Sequence, residues 1–249
     1  MAQAAITTAL SLGVILLARR QNIRLERDTI VALLRGFVQV VAVGSVLLLL
    51  LQTPGWVSVF ALLAMVLAAA SIAARRARGI PGAFRVSLLG IGLGSGLVIL
   101  TMTLLGVIDS ATSVIIPVGS MIIANAMNSN ALALDRFRGE VESHVGQIEA
   151  ALTLGAEARH TVTPYVQTAV EASLIPRIDS LRSLGIVWIP GLMAGMILAG
   201  ADPVYAAIYQ FTVLAMIFAA SGLTSILSAL LIRTRAFSPA QQLILRPHG

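Results

Sequence analysis

The sequence contains no cysteine and no lysine, and only 11% of its 249 residues are charged. Without cysteine there are no disulfides, no thiolate metal sites and no thiol nucleophiles. A P-loop uses a lysine to reach the terminal phosphates of a nucleotide, so a chain without lysine is no ordinary ATPase. Any ATP hydrolysis that serves it takes place on a partner, and ATP and magnesium are expected there; no cofactor is expected on this chain. His144, His160 and His248 are scattered without ligand spacing, and no metal ligand can be named. No serine stands in a nucleophile motif, and the sequence offers no paired carboxylates inside an apolar block. An enzyme has little to work with here.

What the chain does have is apolar sequence, 57% of its residues, and its 11% charged content stands against roughly 25% in a soluble domain. The apolar residues form seven blocks, at about 2–18, 30–51, 55–74, 83–107, 112–133, 185–200 and 203–232. Each is near the ~20 residues that cross a bilayer, the sixth being the shortest. The expected fold is all-α: a polytopic integral membrane protein of about seven transmembrane helices, treated as one domain over 1–249. The first block carries no charge ahead of it, unlike a signal peptide, and is expected to be a retained first helix.

All 17 basic residues are arginine, and all but Arg35 lie in or beside the connections on one side, Arg35 standing near that side. Arg19, Arg20, Arg24 and Arg27 follow the first block; Arg75, Arg76 and Arg78 follow the third, with Arg85 just inside the fourth. Arg136, Arg138, Arg159, Arg177 and Arg182 follow the fifth, and Arg233, Arg235 and Arg246 the seventh. The opposite connections hold no arginine, and two carry an aspartate, Asp109 and Asp202. The positive-inside rule then puts the N-terminus outside and the C-terminus in the cytoplasm. Short clusters beside apolar blocks are orientation signals, so the net charge of +6 does not indicate nucleic acid.

Polar residues inside the blocks are the candidates for function. Arg35 and Gln39 lie one turn apart in the second block. They either snorkel and bond a neighbouring helix or face a polar path. The fourth block, GIGLGSG, sets Gly90 and Gly94, and Gly92 and Gly96, at the spacing that lets helices approach closely. The fifth holds Pro117 and Gly119, then Asn125, Asn128 and Asn130. Asn125 and Asn128 share a face. These amides either bond other helices or line a translocation path, since an unpaired amide in hydrocarbon costs several kcal/mol.

Residues 134–184 form a long polar connection, read as a cytoplasmic coupling segment. Val141, Val145, Ile148 and Leu152 recur at helical spacing and predict an amphipathic helix that ends near Gly155. Thr163 and Pro164 predict the start of a second helix, running to a break at Pro176. The charged residues of the first helix are mostly acidic, which suits a protein partner better than an anionic leaflet.

Several stretches together resemble the FetB-type ABC permeases, associated with bacterial iron export and including plant membrane subunits linked to aluminium tolerance. The similarity lies in LLRGFVQVVAVGSVL, PVGSMIIANAMNSNALAL, EAALTLGA, IPRIDSLRSLGIVWIPGLMAGMILAG and DPVYAAIYQFTVLAMIF, in that order. It implies a seven-helix subunit of the inner (plasma) membrane, surrounded by lipid, that forms a homodimer and binds two cytoplasmic ABC ATPase subunits. EAALTLGA is similar to the loop that docks importer permeases on their ATPases, although Pro164 and Ile175-Pro176 fall elsewhere than the importer pattern has them. By that analogy Glu149, Ala150, Ala151, Gly155 and Pro164 would contact the ATPase. Pro176, Arg177, Asp179, Ser180 and Gly185 would transmit its motion, and Arg35, Gln39, Asn125 and Asn128 would line the path. Iron is implied by the family alone; a sugar nucleotide, or a role in membrane assembly without transport, are the alternatives.

Overall fold

The computed structural model describes residues 26–50, 53, 55–77, 79–238 and 240–245, and what it describes is helical throughout its regular structure. The first apolar block, 2–18, lies outside the described residues. The chain divides into two compact units, residues 1–53 and 54–249. In the first, α1 (Glu26–Leu50) is a 25-residue helix that contains the second apolar block, with Arg35 and Gln39 one turn apart.

The second unit holds α2 (Val57–Arg76), α3 (Ala83–Leu104), α4 (Thr112–Ser143), α5 (Val145–Thr153), α6 (Ala158–Thr161), α7 (Thr163–Ser183), α8 (Gly191–Leu198) and α9 (Pro203–Arg233). A 3-10 turn, Thr234–Ala236, follows. Among the described residues four helices are long and apolar enough to cross a membrane: α2, α3, α4, and α9 with its terminal turn. The third, fourth, fifth and seventh blocks are these helices.

Two apolar clusters hold the unit together. One, in the body of the spans, joins Val66, Ile91, Ile122, Val213 and Ala220. The other gathers the ends where the arginines lie: Ala77 and Ile80 from the α2–α3 turn, Phe137 and Val141 from α4, Ile148, Val162, Val166, Ile232 and Leu243. The arginine-flanked ends are thus collected into one lobe.

α3 and α9 approach most closely at Gly90 and Gly94. A Cβ added at Gly94 would stand 2.7 Å from the backbone nitrogen of Thr224 and 2.9 Å from its Cα, and one at Gly90 would strike the Ser228 hydroxyl. This is the small-residue contact expected from the sequence, made by one of the two glycine pairs. Gly92 and Gly96 instead border an open groove of about 540 Å³ between α2, α3 and α4, lined also by Leu62, Val66 and Ile99.

The connection 134–184 departs from expectation in three ways. First, α4 does not stop with the fifth block but runs 32 residues to Ser143. At 1.5 Å per residue that is about 48 Å, well beyond a ~30 Å hydrocarbon core. The predicted amphipathic helix is therefore split, its start being the end of α4 and its remainder α5. His144 marks the joint, its Nδ1 2.8 Å from the Glu140 carbonyl oxygen and its ring stacked on Tyr165 at 4.8 Å. The predicted stripe does bury: Val141 and Ile148 lie in the lobe cluster and Val145 and Leu152 pack against it. α5 ends at Thr153, and two residues on Gly155, with φ of +87°, takes the left-handed conformation that terminates helices.

Second, α7 does not break at Pro176. The proline removes one backbone bond, that to the Ala172 carbonyl, but the helix is tied to its neighbours on either side of the loss. Ser173 Oγ donates to Ser225 Oγ of α9 at 2.9 Å, and Arg177 Nη1 donates to Asn125 Oδ1 of α4.

Third, the sixth block is not a continuous helix. α7 ends at Ser183, Gly185 takes φ +76°, and helix resumes only at Gly191 for the eight residues of α8. The backbone amide of Met193, in the first turn of α8, donates to Gln210 Oε1 of α9 at 3.2 Å. α7, the interruption and α8 therefore run together as one broken element, antiparallel to α9.

Candidate functional site

The candidate site is built on α7, because its polar residues stand beside helices that span. α9 has 31 residues, about 46 Å of helix. Ser225, the partner of Ser173, lies about 12 Å along α9 from Arg233 by the same rise. One turn further on α7 is Arg177, and its partner Asn125 is about 20 Å from the start of α4. The second half of α7 thus lies at the depth of the apolar spans. Arg177 and Arg182, which hydropathy assigns to a loop, lie along a helix in the bundle.

One face of α7, with Val166, Ala169 and Ser173, is buried against α4 and α9. Its other face exposes Glu171, Ile175, Asp179 and Arg182. Asp179 and Arg182 are 3.7 Å apart, with side chains 61% and 77% exposed. Ionised groups at span depth face the bundle interior or water, not lipid, so this face belongs against water or another polar surface.

Arg177 is held between these two faces. Its Nη1 bonds the Asn125 carbonyl oxygen, while Asn125 Nδ2 donates back to the Met121 carbonyl within α4 at 2.7 Å. Its Nε is buried without a partner, as is the hydroxyl of Ser221. Because α7 and α9 are antiparallel, four residues beyond Ser173 on one helix meet four residues before Ser225 on the other. That register sets Arg177 level with Ser221. Among the described residues no carboxylate pairs with Arg177, and no three His, Asp or Glu groups converge as a metal site would require.

The asparagines of α4 separate by environment. Asn130 is fully buried and donates to Ser87 Oγ of α3 at 2.8 Å, an interhelical bond. Asn125 joins α4 to α7, and Asn128 is exposed. Arg35 and Gln39 lie in the separate unit of α1. Ser180, half-buried, donates to the Pro176 carbonyl at 2.8 Å, and Gly185 forms the break itself.

The residues considered for docking lie on the arginine-rich lobe. Glu149 is partly buried on α5, Ala151 half-buried, and Ala150, Gly155 and Pro164 exposed. Sequence reasoning passed over Leu154, which is 89% exposed at the tip of the turn after α5. It also passed over the hydroxyl row Ser221, Thr224, Ser225 and Ser228, all buried on α9. Its signal was present, since SGLTSILS places four hydroxyls at helical spacing in an otherwise apolar span.

The sequence profile of the uncharacterised protein family UPF0014 matches residues 1–237. The chain is 32% identical to the protein ALUMINUM SENSITIVE 3 of Arabidopsis thaliana, over 92% of this chain and 84% of that one. It is 30% identical to the probable iron export permease protein FetB of Escherichia coli, over 92% and 89%. With the UPF0014 membrane protein STAR2 of rice it shares 32% identity, over 95% and 83%. No solved structure matches it. Apolar helices of spanning length and a match along nearly its whole length make this chain a multi-pass membrane protein of the UPF0014 family.

Proposed function

We propose that the chain is the membrane-spanning permease subunit of an ABC transporter, exporting metal ions, iron among them, with ATP hydrolysed on a separate cytoplasmic ATPase subunit. The similarity to FetB supports the transporter class and the metal. The observation that carries the mechanism is α7. It starts in the arginine-rich lobe, where Val162 and Val166 are core residues, and continues unbroken to Arg177 among the spans. A push on the lobe moves the polar residues at span depth, because one helix bears both. The interruption at Leu184–Pro190 gives α7 freedom from α8, as in transporters whose binding sites lie at discontinuous helices. Two copies facing each other across a twofold axis would enclose the Glu171, Asp179 and Arg182 face in a water-filled path.

The test is to co-express the chain with an ABC ATPase encoded beside its gene and to reconstitute the pair in proteoliposomes. ATP-dependent, vanadate-sensitive movement of iron is expected. A stable pair that hydrolyses ATP but moves no metal would sink the export reading.

Orientation can be read separately. Reporter fusions in 77–82 and in 139–160 are expected to report cytoplasm, and fusions at Asp109 and Asp202 the outside. A cytoplasmic signal at Asp109 would refute the arrangement, because Asp109 lies between α3 and α4 at the end opposite the lobe.

A further inference from the structure

We infer that Arg177 is a fixed cation that selects cargo bearing anionic oxygen groups, carboxylate or phosphate, so that any metal carried crosses as an anionic chelate and not as a bare cation. The inference rests on the transport reading above and names the chemistry of its cargo.

Charge at span depth is not balanced. Asp179 and Arg182 form an ion pair and offset one another. Arg177 bonds only the neutral amide of Asn125, so its charge is left uncompensated by any carboxylate among the described residues. A guanidinium cannot discharge by losing its proton, and an unpaired ion at this depth marks a path for a substrate of opposite sign.

Its donors point the same way. Nε is buried without an acceptor, and the fully buried hydroxyl of Ser221, level with it on α9, is also without a partner. A planar guanidinium with a free Nε donor, level with a hydroxyl on the neighbouring helix, fits a carboxylate or phosphate group, whose oxygens accept hydrogen bonds from both. A bare divalent cation would meet a like charge there, and hydrogens where it needs oxygens.

A purely structural role would make Arg177 a strut between α4 and α7. The two roles part at Asn125→Asp. That change keeps the bond to Arg177 and makes it an ion pair, so a strut is preserved, while the charge offered to an anion is cancelled.

The experiment uses the full-length chain in lipid nanodiscs, without ATPase, and the probes citrate, inorganic phosphate, ferric citrate and manganous ion. The wild type is expected to bind citrate or phosphate, and the stronger of the two tells a carboxylate site from a phosphate site. Asn125→Asp is expected to lower that affinity tenfold or more while its thermal midpoint stays close to the wild-type value, the new ion pair offsetting the lost donation to the Met121 carbonyl. Arg177→Lys, which keeps the charge but loses the planar fork, is expected to fall between them. A wild-type chain that binds neither anion overturns the inference, as does an Asn125→Asp variant with unchanged anion affinity. Failure of the transport reading would look different: Arg177-dependent anion binding would persist in a protein that moves nothing with ATP. Conversely, ATP-driven export of bare metal ion at full rate by Asn125→Asp would leave transport standing and sink the anion site.

Discussion

Gly94→Ala is expected to lower the thermal stability of the isolated protein in detergent, although alanine is the better helix former by about 1 kcal/mol. The added methyl would meet backbone, the nitrogen and Cα of Thr224 at 2.7 and 2.9 Å, and backbone cannot rotate away. α3 and α9 must separate, which loosens the contact along Gly90, Gly94, Thr224 and Ser228. Overpacking of this kind costs about 1–3 kcal/mol. The loss therefore exceeds the propensity gain. Gly90→Ala should cost less, because its close neighbour is the Ser228 hydroxyl, which can turn, while the Thr224 carbonyl oxygen stands at 3.3 Å. Gly96→Ala meets nothing within 4 Å and should be neutral or stabilising. Melting curves of the three variants, taken without any partner, rank the sites. Equal losses at Gly96 and Gly94 would show that the close approach of α3 and α9 is not what those glycines are for.

This contact was legible in the sequence because a four-residue spacing of glycines in an apolar block has a direct steric meaning. The spans α2, α3, α4 and α9 were legible for a similar reason, since lipid-facing length and hydropathy are properties of a segment taken alone. α7 was not. TPYVQTAVEASLIPRIDSLRS is polar, and a hydropathy reading cannot distinguish a helix that faces cytoplasm from one that faces a polar path inside the membrane. Its helix start at Thr163-Pro164 was readable from the residues, but its end was not. Pro176 has the look of a terminator, whereas the bonds of Arg177 to Asn125 and of Ser173 to Ser225, each joining residues 52 apart in the chain, hold the helix through it. The real stop is Gly185, with Pro190 leading into α8. Positive-inside counting places Arg177 and Arg182 in a loop, because it weighs where a residue stands between blocks and not what it packs against.

Under the proposed function, Leu154→Asp is expected to uncouple the chain from an ATPase subunit while leaving the chain itself intact. α5 is held to its own subunit by one face: Ile148 is buried, and Val145 and Leu152 pack against the lobe cluster. Gly146, Gln147, Ala150 and Thr153 are exposed on its other side, followed by Leu154 and Gly155, and Leu154 at 89% exposure contributes nothing to that core. Substitutions at such surface positions usually change stability by no more than about 0.5 kcal/mol. Buried in a cleft of a partner, the same leucine is worth about 1.5–3 kcal/mol, or roughly ten- to a hundredfold in affinity. A charge placed there also has to be desolvated. The double change Glu149→Arg with Ala151→Trp attacks the neighbouring turn and should act in the same direction. Ile148→Ala is the contrast, because it opens a cavity under α5 at a cost of about 2–5 kcal/mol, lowering stability and coupling together. The measurements are co-purification with the ATPase, ATP hydrolysis by the reconstituted pair, and the melting temperature of the permease alone. Docking through this tip predicts that Leu154→Asp loses the first two and keeps the third. A variant that assembles and hydrolyses ATP as the wild type does would move the docking surface elsewhere on the lobe, with the exposed start of α7 at Pro164 the next surface to test.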